Sequence, residues 1–183
     1  MDNPIINLLE KRNATRALSE EPLPGGALEM LMEAVRLTPS CFNKQPWRFL
    51  FLTSVSGRQK GAEALAEGNR GWASRAPLLV LGHTRKDDDC VLPGRDYHQF
   101  DLGMSVMNLI LAATSLGLVA RPMAGFDPAR ARELFKLSED QQPLIMLAIG
   151  KPGVDESHLP DHYKGLGAKP RQRKPVAETM KIL

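Results

Sequence analysis

A single domain of mixed helices and strands is what this chain predicts, from three observations. Leu28, Leu31, Met32 and Val35 recur at helical spacing, whereas Trp47, Phe49 and Phe51 alternate as strand residues do. Leu78 to Leu81 is a continuous apolar run, the pattern of a strand buried on both faces. Finally, 183 residues of which 43% are hydrophobic suffice for one sizeable core, with nothing that marks most of the chain as disordered.

The elements follow in order. Asn3 before Pro4 is a helix start, a capping side chain followed by proline at the first helical position, and Ile5, Ile6, Leu8 and Leu9 give that helix an apolar side up to about Asn13. Pro24-Gly25-Gly26 introduces the second helix. Arg48 to Thr53 reads as the first strand, Gly57 to Gly68 as one short helix, and a second strand follows Pro77. A long helix from about Tyr97 to Leu116 carries Leu102, Val106, Leu109, Ile110 and Ala113 and is stopped by Gly117. Leu118 to Pro122 is the third strand, Pro128 to Lys136 a helix, and Pro143 to Gly150 the fourth strand. Four prolines, three glycines and weak periodicity beyond Lys151 indicate an extended arm, so residues 1–150 form the core and 151–183 the arm. There is no internal repeat.

The loop Pro39-Ser40-Cys41-Phe42-Asn43-Lys44-Gln45-Pro46-Trp47 joins a helix to an aromatic strand and concentrates a hydroxyl, two carboxamides and free backbone amides. Such groups suit a planar heterocycle that both donates and accepts hydrogen bonds; a plain polar connection with an Asn-based turn is the alternative. A formal net charge of +3 is mild, so the position of the cations matters more than their number. Lys11, Arg12 and Arg16 form one cluster, and Lys164, Lys169, Arg171, Arg173 and Lys174 another with no acid among them. Two arginine clusters converging on one phosphomonoester would hold its double charge bidentately. Little aromatic interleaving accompanies them, which argues against a nucleic-acid partner.

Several residue groups resemble one known family. Glu10-Lys11-Arg12-Asn13-Ala14-Thr15-Arg16-Ala17-Leu18, the helix ending Glu33-Ala34-Val35-Arg36-Leu37-Thr38-Pro39-Ser40, and Asn43 with Gln45-Pro46-Trp47-Arg48-Phe49 look like the opening of the nitroreductase family of FMN-dependent flavoenzymes. Asp101-Leu102-Gly103-Met104-Ser105, Asn108-Leu109, Ala112-Ala113, Leu116-Gly117-Leu118 and Pro122-Met123-Ala124-Gly125-Phe126 match later landmarks in the family order, so the similarity spans roughly Ile5 to Val176. The resemblance implies an α+β, nitroreductase-like fold with a central, mostly antiparallel sheet flanked by helices and a C-terminal arm wrapping the partner subunit. It also implies a homodimer with FMN at the subunit interface. Hydride would pass from NAD(P)H through FMN to a small oxidised acceptor such as a nitroaromatic or quinone, in a ping-pong cycle.

Site residues carry over by position. Arg12, followed by Asn13 and Ala14, matches the arginine that grips the flavin phosphate, and Arg16 the cation at the N1 and O2 edge, where reduction places negative charge. Pro39, Ser40, Cys41, Asn43 and Gln45 match the loop that packs on the ring from the other subunit. Pro122, Met123, Ala124 and Gly125 match the turn whose amides meet the N5 and O4 edge; Asn69 matches a ribityl or pyrimidine contact; Arg171 and Arg173 match the tail's phosphate contacts. No side chain is expected as a general acid or base. Two departures stand out: Ala14 lacks the hydroxyl that relatives usually place there, and Ala124 stands where some carry an acid. These favour the alternative of a non-catalytic flavin-binding sensor or carrier.

Other chemistry is not expected. No metal is predicted: Asp87-Asp88-Asp89 lacks calcium-loop spacing and reads as a solvated turn, and His158 and His162 flank Pro160, which opposes a helical ligand pair. Two cysteines are too few for a disulfide framework, so Cys41 is expected as a free buried thiol. No dinucleotide or phosphate-loop fingerprint occurs, and neither a signal peptide nor a membrane span is read; the expected compartment is the cytoplasm. The lid over the flavin is expected from the Asp87 to Gly94 loop or from the arm.

Overall fold

The computed structural model describes residues 2–183. Helix α1 (Pro4–Lys11) begins as its sequence dictates: the Asn3 side chain accepts from the amides of Ile5 and Ile6 at 2.9 and 3.2 Å. Its apolar side buries no residue within the chain, leaving Ile5 and Ile6 exposed. Helix α2 (Ala27–Arg36) follows Gly26, whose φ of 77° is the left-handed turn that glycine permits, and buries Ala27, Leu31 and Val35.

Strands β1 (Trp47–Leu52), β2 (Leu78–Arg85), β5 (Val119–Met123) and β6 (Gln141–Gly150) form one sheet in the order β1-β2-β6-β5, every neighbouring pair antiparallel. The continuous apolar run of β2 is explained by its central position. Leu78 and Val80 point into the layer with α2 and helix α5 (His98–Ser115), and Leu79 and Leu81 into the opposite layer. That second layer is built by helices α3 (Val55–Ala64), α4 (Glu67–Ala73) and α6 (Pro128–Phe135), with Leu65, Trp72 and Met146 at its centre. Each fully buried leucine there contributes roughly 1.5–3 kcal/mol. The α+β, antiparallel expectation holds.

The long helix is core on one side and open on the other. α5 buries Leu102, Val106, Leu109, Ile110 and Ala113 and also Asp101 and Ser105, while Phe100 and Gly103 are exposed and Met104 and Met107 half-buried.

Four local expectations are corrected. Gly57 to Gly68 is not one helix: Leu65 turns to an extended conformation, is buried, and bridges to Phe126, which divides α3 from α4. The Asp87 to Gly94 region contains a short hairpin of β3 (Val91–Leu92) and β4 (Arg95–Asp96), with Gly94 at φ 70° in its turn. The acidic run is not simply solvated, since Asp89 is 5% exposed and Asp88 pairs with Arg85 and Arg48. Most importantly, Cys41 is not a free thiol but forms a disulfide with Cys90. Antiparallel pairing explains this. Trp47 faces Thr84 at the end of the β1–β2 ladder, so the chain six residues before Trp47 meets the chain six residues after Thr84.

The segment after β6 first packs on its own chain. Leu18 bridges Pro152, Gly153 N donates to Ala17 O at 2.9 Å, and Leu159 is buried. From residue 164 onward every residue is exposed, and a single turn of helix, α7 (Val176–Thr179), lies near the end. Among the described residues no helix is long and apolar enough to cross a membrane.

Candidate functional site

A cavity of about 560 Å³ opens between the end of α1, the 13–16 segment, β5 and the arm; Arg12, Asn13, Ala14, Arg16, Arg121, Tyr163, Lys169 and Arg171 are among its lining. Its walls are made by chain ends that meet. Arg121 on β5 donates to Ala14 O, which ties the 13–16 segment to the sheet. The arm approaches so closely at Gly167 that a Cβ there would lie 2.8 Å from Thr15 Oγ1. The Arg16 guanidinium carbon lies over Tyr163, 3.6 Å from the ring centroid, and 6.0 Å from that of Trp72.

The electrostatics point one way. Among the described residues, none of Arg12, Arg16, Arg121, Lys169, Arg171 and Arg173 forms an ion pair. Burial lowers the Arg12 guanidinium from its ordinary value, and repulsion from Arg171 and Arg173 lowers it further. Burial likewise pushes Arg121 down to about 10, with Arg16 as the second cause, so it is still a cation at neutral pH. The Nε atoms of Arg16 and Arg121 are buried without a hydrogen-bond partner. Mutually repelling, underpaired guanidiniums around one cavity are the donor set for a phosphate and for an electron-rich ring edge.

Next to this cavity the turn after β5 is held from α4. Asn69 Nδ2 and the Ala66 amide both donate to Gly125 O at 3.0 Å. A Cβ on Gly125 would meet Asn69 Nδ2 at 2.6 Å, so the absence of a side chain keeps this hold. Pro122, Ala124 and Gly125 are exposed and Met123 is buried.

The loop from Pro39 to Gln45 stands apart and lines no part of that cavity. Its shape is built internally. Ser40 Oγ accepts from the Gln45 amide at 2.8 Å, and Gln45 Nε2 donates to Asn43 O and Oδ1 at 3.2 and 3.1 Å. Phe42, Asn43 and Gln45 all have positive φ, a conformation side chains rarely adopt unless their surroundings fix it. One fixing contact is Asp101 Oδ2, which accepts from the Cys41 amide at 2.8 Å. Burial raises the Asp101 carboxyl above the usual range; the Cys41 amide opposes that and Asp89 adds to it.

Arg171, which lines the cavity, is also tied to the end of α1. Its guanidinium donates to Leu9 O at 2.8 Å, to Glu10 O at 3.0 Å and to Arg12 O, the free carbonyls ending α1. Arg173 donates to Gln172 O. Sequence reading missed Arg121 and Tyr163. A lone cation in the apolar strand Val119-Ala120-Arg121 is a signal that could have found the first; Tyr163 has none, since only folding brings it under Arg16.

Ligand atoms of Cys41, Asp89 and Cys90 lie within 4.8 Å of one another, but the two sulfurs are bonded to each other and are not a metal pair in this state. His158 and His162 build no ligand cluster among the described residues, and the His162 ring lies against Tyr163, centroids 4.0 Å apart and planes tilted by 53°.

Comparison with known proteins gives the family and the fold. The nitroreductase family profile matches residues 9–72 and 64–151. A Stenotrophomonas maltophilia protein, provisionally named an NADH dehydrogenase/NAD(P)H nitroreductase, is 33% identical over 173 residues, covering 84% of this chain and 88% of its own. A crystal structure described as an FMN-containing oxidoreductase superposes with a TM-score of 0.85 at 28% identity, covering 99% of this chain and 92% of that one. An Exiguobacterium sibiricum structure in complex with FMN, at 19% identity and a TM-score of 0.79, covers 100% of this chain and 99% of its own and shares the fold. The fold is of the α+β class with an antiparallel sheet flanked by helices, and the family match makes the protein an NAD(P)H-dependent oxidoreductase. The chain belongs to the nitroreductase family, whose cofactor is FMN and whose electron donor is NAD(P)H.

Proposed function

We propose that this protein transfers hydride from NAD(P)H through FMN to a small, flat, oxidised acceptor such as a nitroaromatic or quinone. Donor and acceptor use one shared site in turn, in a ping-pong cycle. The observation that carries this is the set of cations without acidic partners around one cavity, in a chain of this family.

FMN, when bound, supplies the two-electron carrier. The chain supplies binding and orientation. Arg12, with Lys169 and Arg173 beside it, would hold the phosphate; Arg16 and Arg121 would hold the electron-rich edge of the ring. Asn69 fixes the turn at Gly125, whose backbone would meet the opposite edge. Pro39, Ser40, Cys41, Asn43 and Gln45 would come from the second subunit, which accounts for their separation from the cavity of their own chain. A homodimer is supported by α1, which has no fully buried residue within its chain, and by the exposed Ile5, Ile6, Phe42 and Phe100. Residues 164–183, exposed throughout, would lie along the partner. In that reading residues 1–150 are the flavin-binding core and 151–183 complete the dimer, in the cytoplasm.

No titrating dyad is required, because solvent can deliver the proton. Ala14 and Ala124 support the second reading, a flavin-holding sensor or carrier without turnover. Extraction and chromatography of the purified protein, followed by anaerobic addition of NADH and NADPH separately, tests both. FMN at about one per subunit and bleaching by either nucleotide are the expected results. FAD, or no flavin after reconstitution, refutes the cofactor reading; bound FMN that neither nucleotide bleaches leaves the sensor.

A further inference from the structure

We propose that Cys41 and Cys90 form a reversible thiol–disulfide latch that clamps the Val91–Asp96 hairpin onto the Pro39–Gln45 loop, so that the redox state of the pair sets acceptor access. The access clause rests on the functional reading above, in which that loop covers the flavin face; the latch itself does not.

The bridge joins two loops rather than two elements of the core. Neither cysteine belongs to a strand or regular α-helix, and neither lies in the two apolar clusters that pack against the sheet. Within the folded chain its direct constraint therefore falls on the two loops it joins. Both cysteines are half-buried, within reach of a small thiol. An isolated disulfide outside a framework is, in reducing compartments, characteristic of redox-responsive sites.

Little else holds the hairpin. Its strands are two residues each, Val91 is 86% exposed, and its own ion pair is the exposed Lys86–Asp96 at 2.9 Å, the half-buried Asp88 with its partners Arg85 and Arg48 lying before the hairpin. Such an exposed pair contributes little. The loop, in contrast, holds three left-handed side-chain-bearing residues and needs external anchors, of which the disulfide and the Asp101 bond to the Cys41 amide are two. A second observation bears on the reduced pair. Asp89 Oδ2 is buried beside the sulfurs without a partner, and a thiol formed there is a donor that can supply one.

The exchange balances with a dithiol reductant of the thioredoxin class. One reductant thiolate attacks one cysteine sulfur, the Cys41–Cys90 bond breaks and a mixed disulfide forms. The second reductant thiolate then displaces the other sulfur; two electrons and two protons enter the protein, and the reductant leaves as its disulfide.

The test uses the full-length protein in graded mixtures of reduced and oxidised dithiothreitol. Differential alkylation with mass spectrometry should find Cys41 and Cys90 changing together in one two-electron transition. Hydrogen–deuterium exchange of segments 39–47 and 86–97 should quicken about tenfold on reduction, and equally in Cys90→Ser without reductant, while β2 and β6 stay unchanged. With FMN bound, the kcat/KM of a bulky quinone should rise at least about threefold more than that of a small one on reduction. Two free thiols in the air-oxidised protein, or exchange indifferent to reduction, would overturn the latch. Changed exchange with unchanged quinone selectivity would overturn the access role. A protein that binds no flavin refutes the functional reading, while alkylation and exchange still decide the latch.

Discussion

Arg171 gives a direct handle on how the arm and α1 support each other. α1 has no fully buried residue in its own chain, so the bonding of its ends matters, and Arg171 satisfies three carbonyls at its C-terminal end. These bonds are exposed, so each contributes about 0.5 kcal/mol net, and the favourable placement of a cation at a helix C-terminus adds about 0.3–0.5 kcal/mol. Repulsion from Arg12 offsets a few tenths, screened by solvent. Arg171→Ala should therefore loosen the end of α1 by about 1.5–2 kcal/mol, a factor of about 10–30 in local opening. Lysine retains the charge and one bond, so Arg171→Lys should lose about half as much in free energy, roughly a 3- to 5-fold increase in opening. Hydrogen exchange of the Glu10, Lys11 and Arg12 amides reads both. Equal protection in all three proteins would refute the claim that the arm caps this helix, and equal loss in Ala and Lys would refute the role of the planar fork.

Three further outcomes are expected. Arg16→Ala at saturating FMN should lower the flavin midpoint potential by roughly 20–45 mV, the equivalent of about 1–2 kcal/mol from a partly screened cation; an unchanged potential in a dye-linked titration makes Arg16 structural. Asp101 holds its proton more tightly folded than unfolded, so its contribution to stability declines as pH rises through and above the ordinary carboxylate range. Asp101→Asn keeps an acceptor for the Cys41 amide, so thermal denaturation should give a higher Tm than wild type near pH 8 and a vanishing difference towards pH 4; a pH-independent difference contradicts this. Gly125→Ala should cost about 1 kcal/mol by displacing Asn69 from Gly125 O, but much less in an Asn69→Ala background. Additive losses in that double-mutant cycle would show that Asn69 does not hold the turn.

Much of the site was legible because it is written locally. Arg12, Arg16, Asn69 and Gly125 lie on short segments that the sequence marks by charge and turn chemistry, and the structure brings Arg12 and Arg16 to one cavity and Asn69 to Gly125. Arg121 left one local signal, a lone cation in an apolar strand, but Tyr163 left none, because it meets Arg16 only after the arm has folded onto the core. Arg171 was legible as a cation but not in its partners, since its three carbonyl acceptors belong to a helix 159 to 162 residues earlier.

By itself the sequence determined the elements: Asn3 and Pro4 start α1, Gly26 turns into α2, the run from Leu78 to Leu81 is the central strand, and Gly117 ends α5. These follow from backbone preferences and side-chain periodicity, which act within a few residues. Only the tertiary structure decided the pairings. Antiparallel registration of Trp47 with Thr84 brings Cys41 to Cys90, a contact that neither cysteine's neighbours encode. The break between α3 and α4 has the same origin, since Leu65 leaves the helix to be buried against Phe126 and Trp72. Burial of distant apolar surface outweighs one turn's worth of helical hydrogen bonds, and that balance exists only once the sheet has formed.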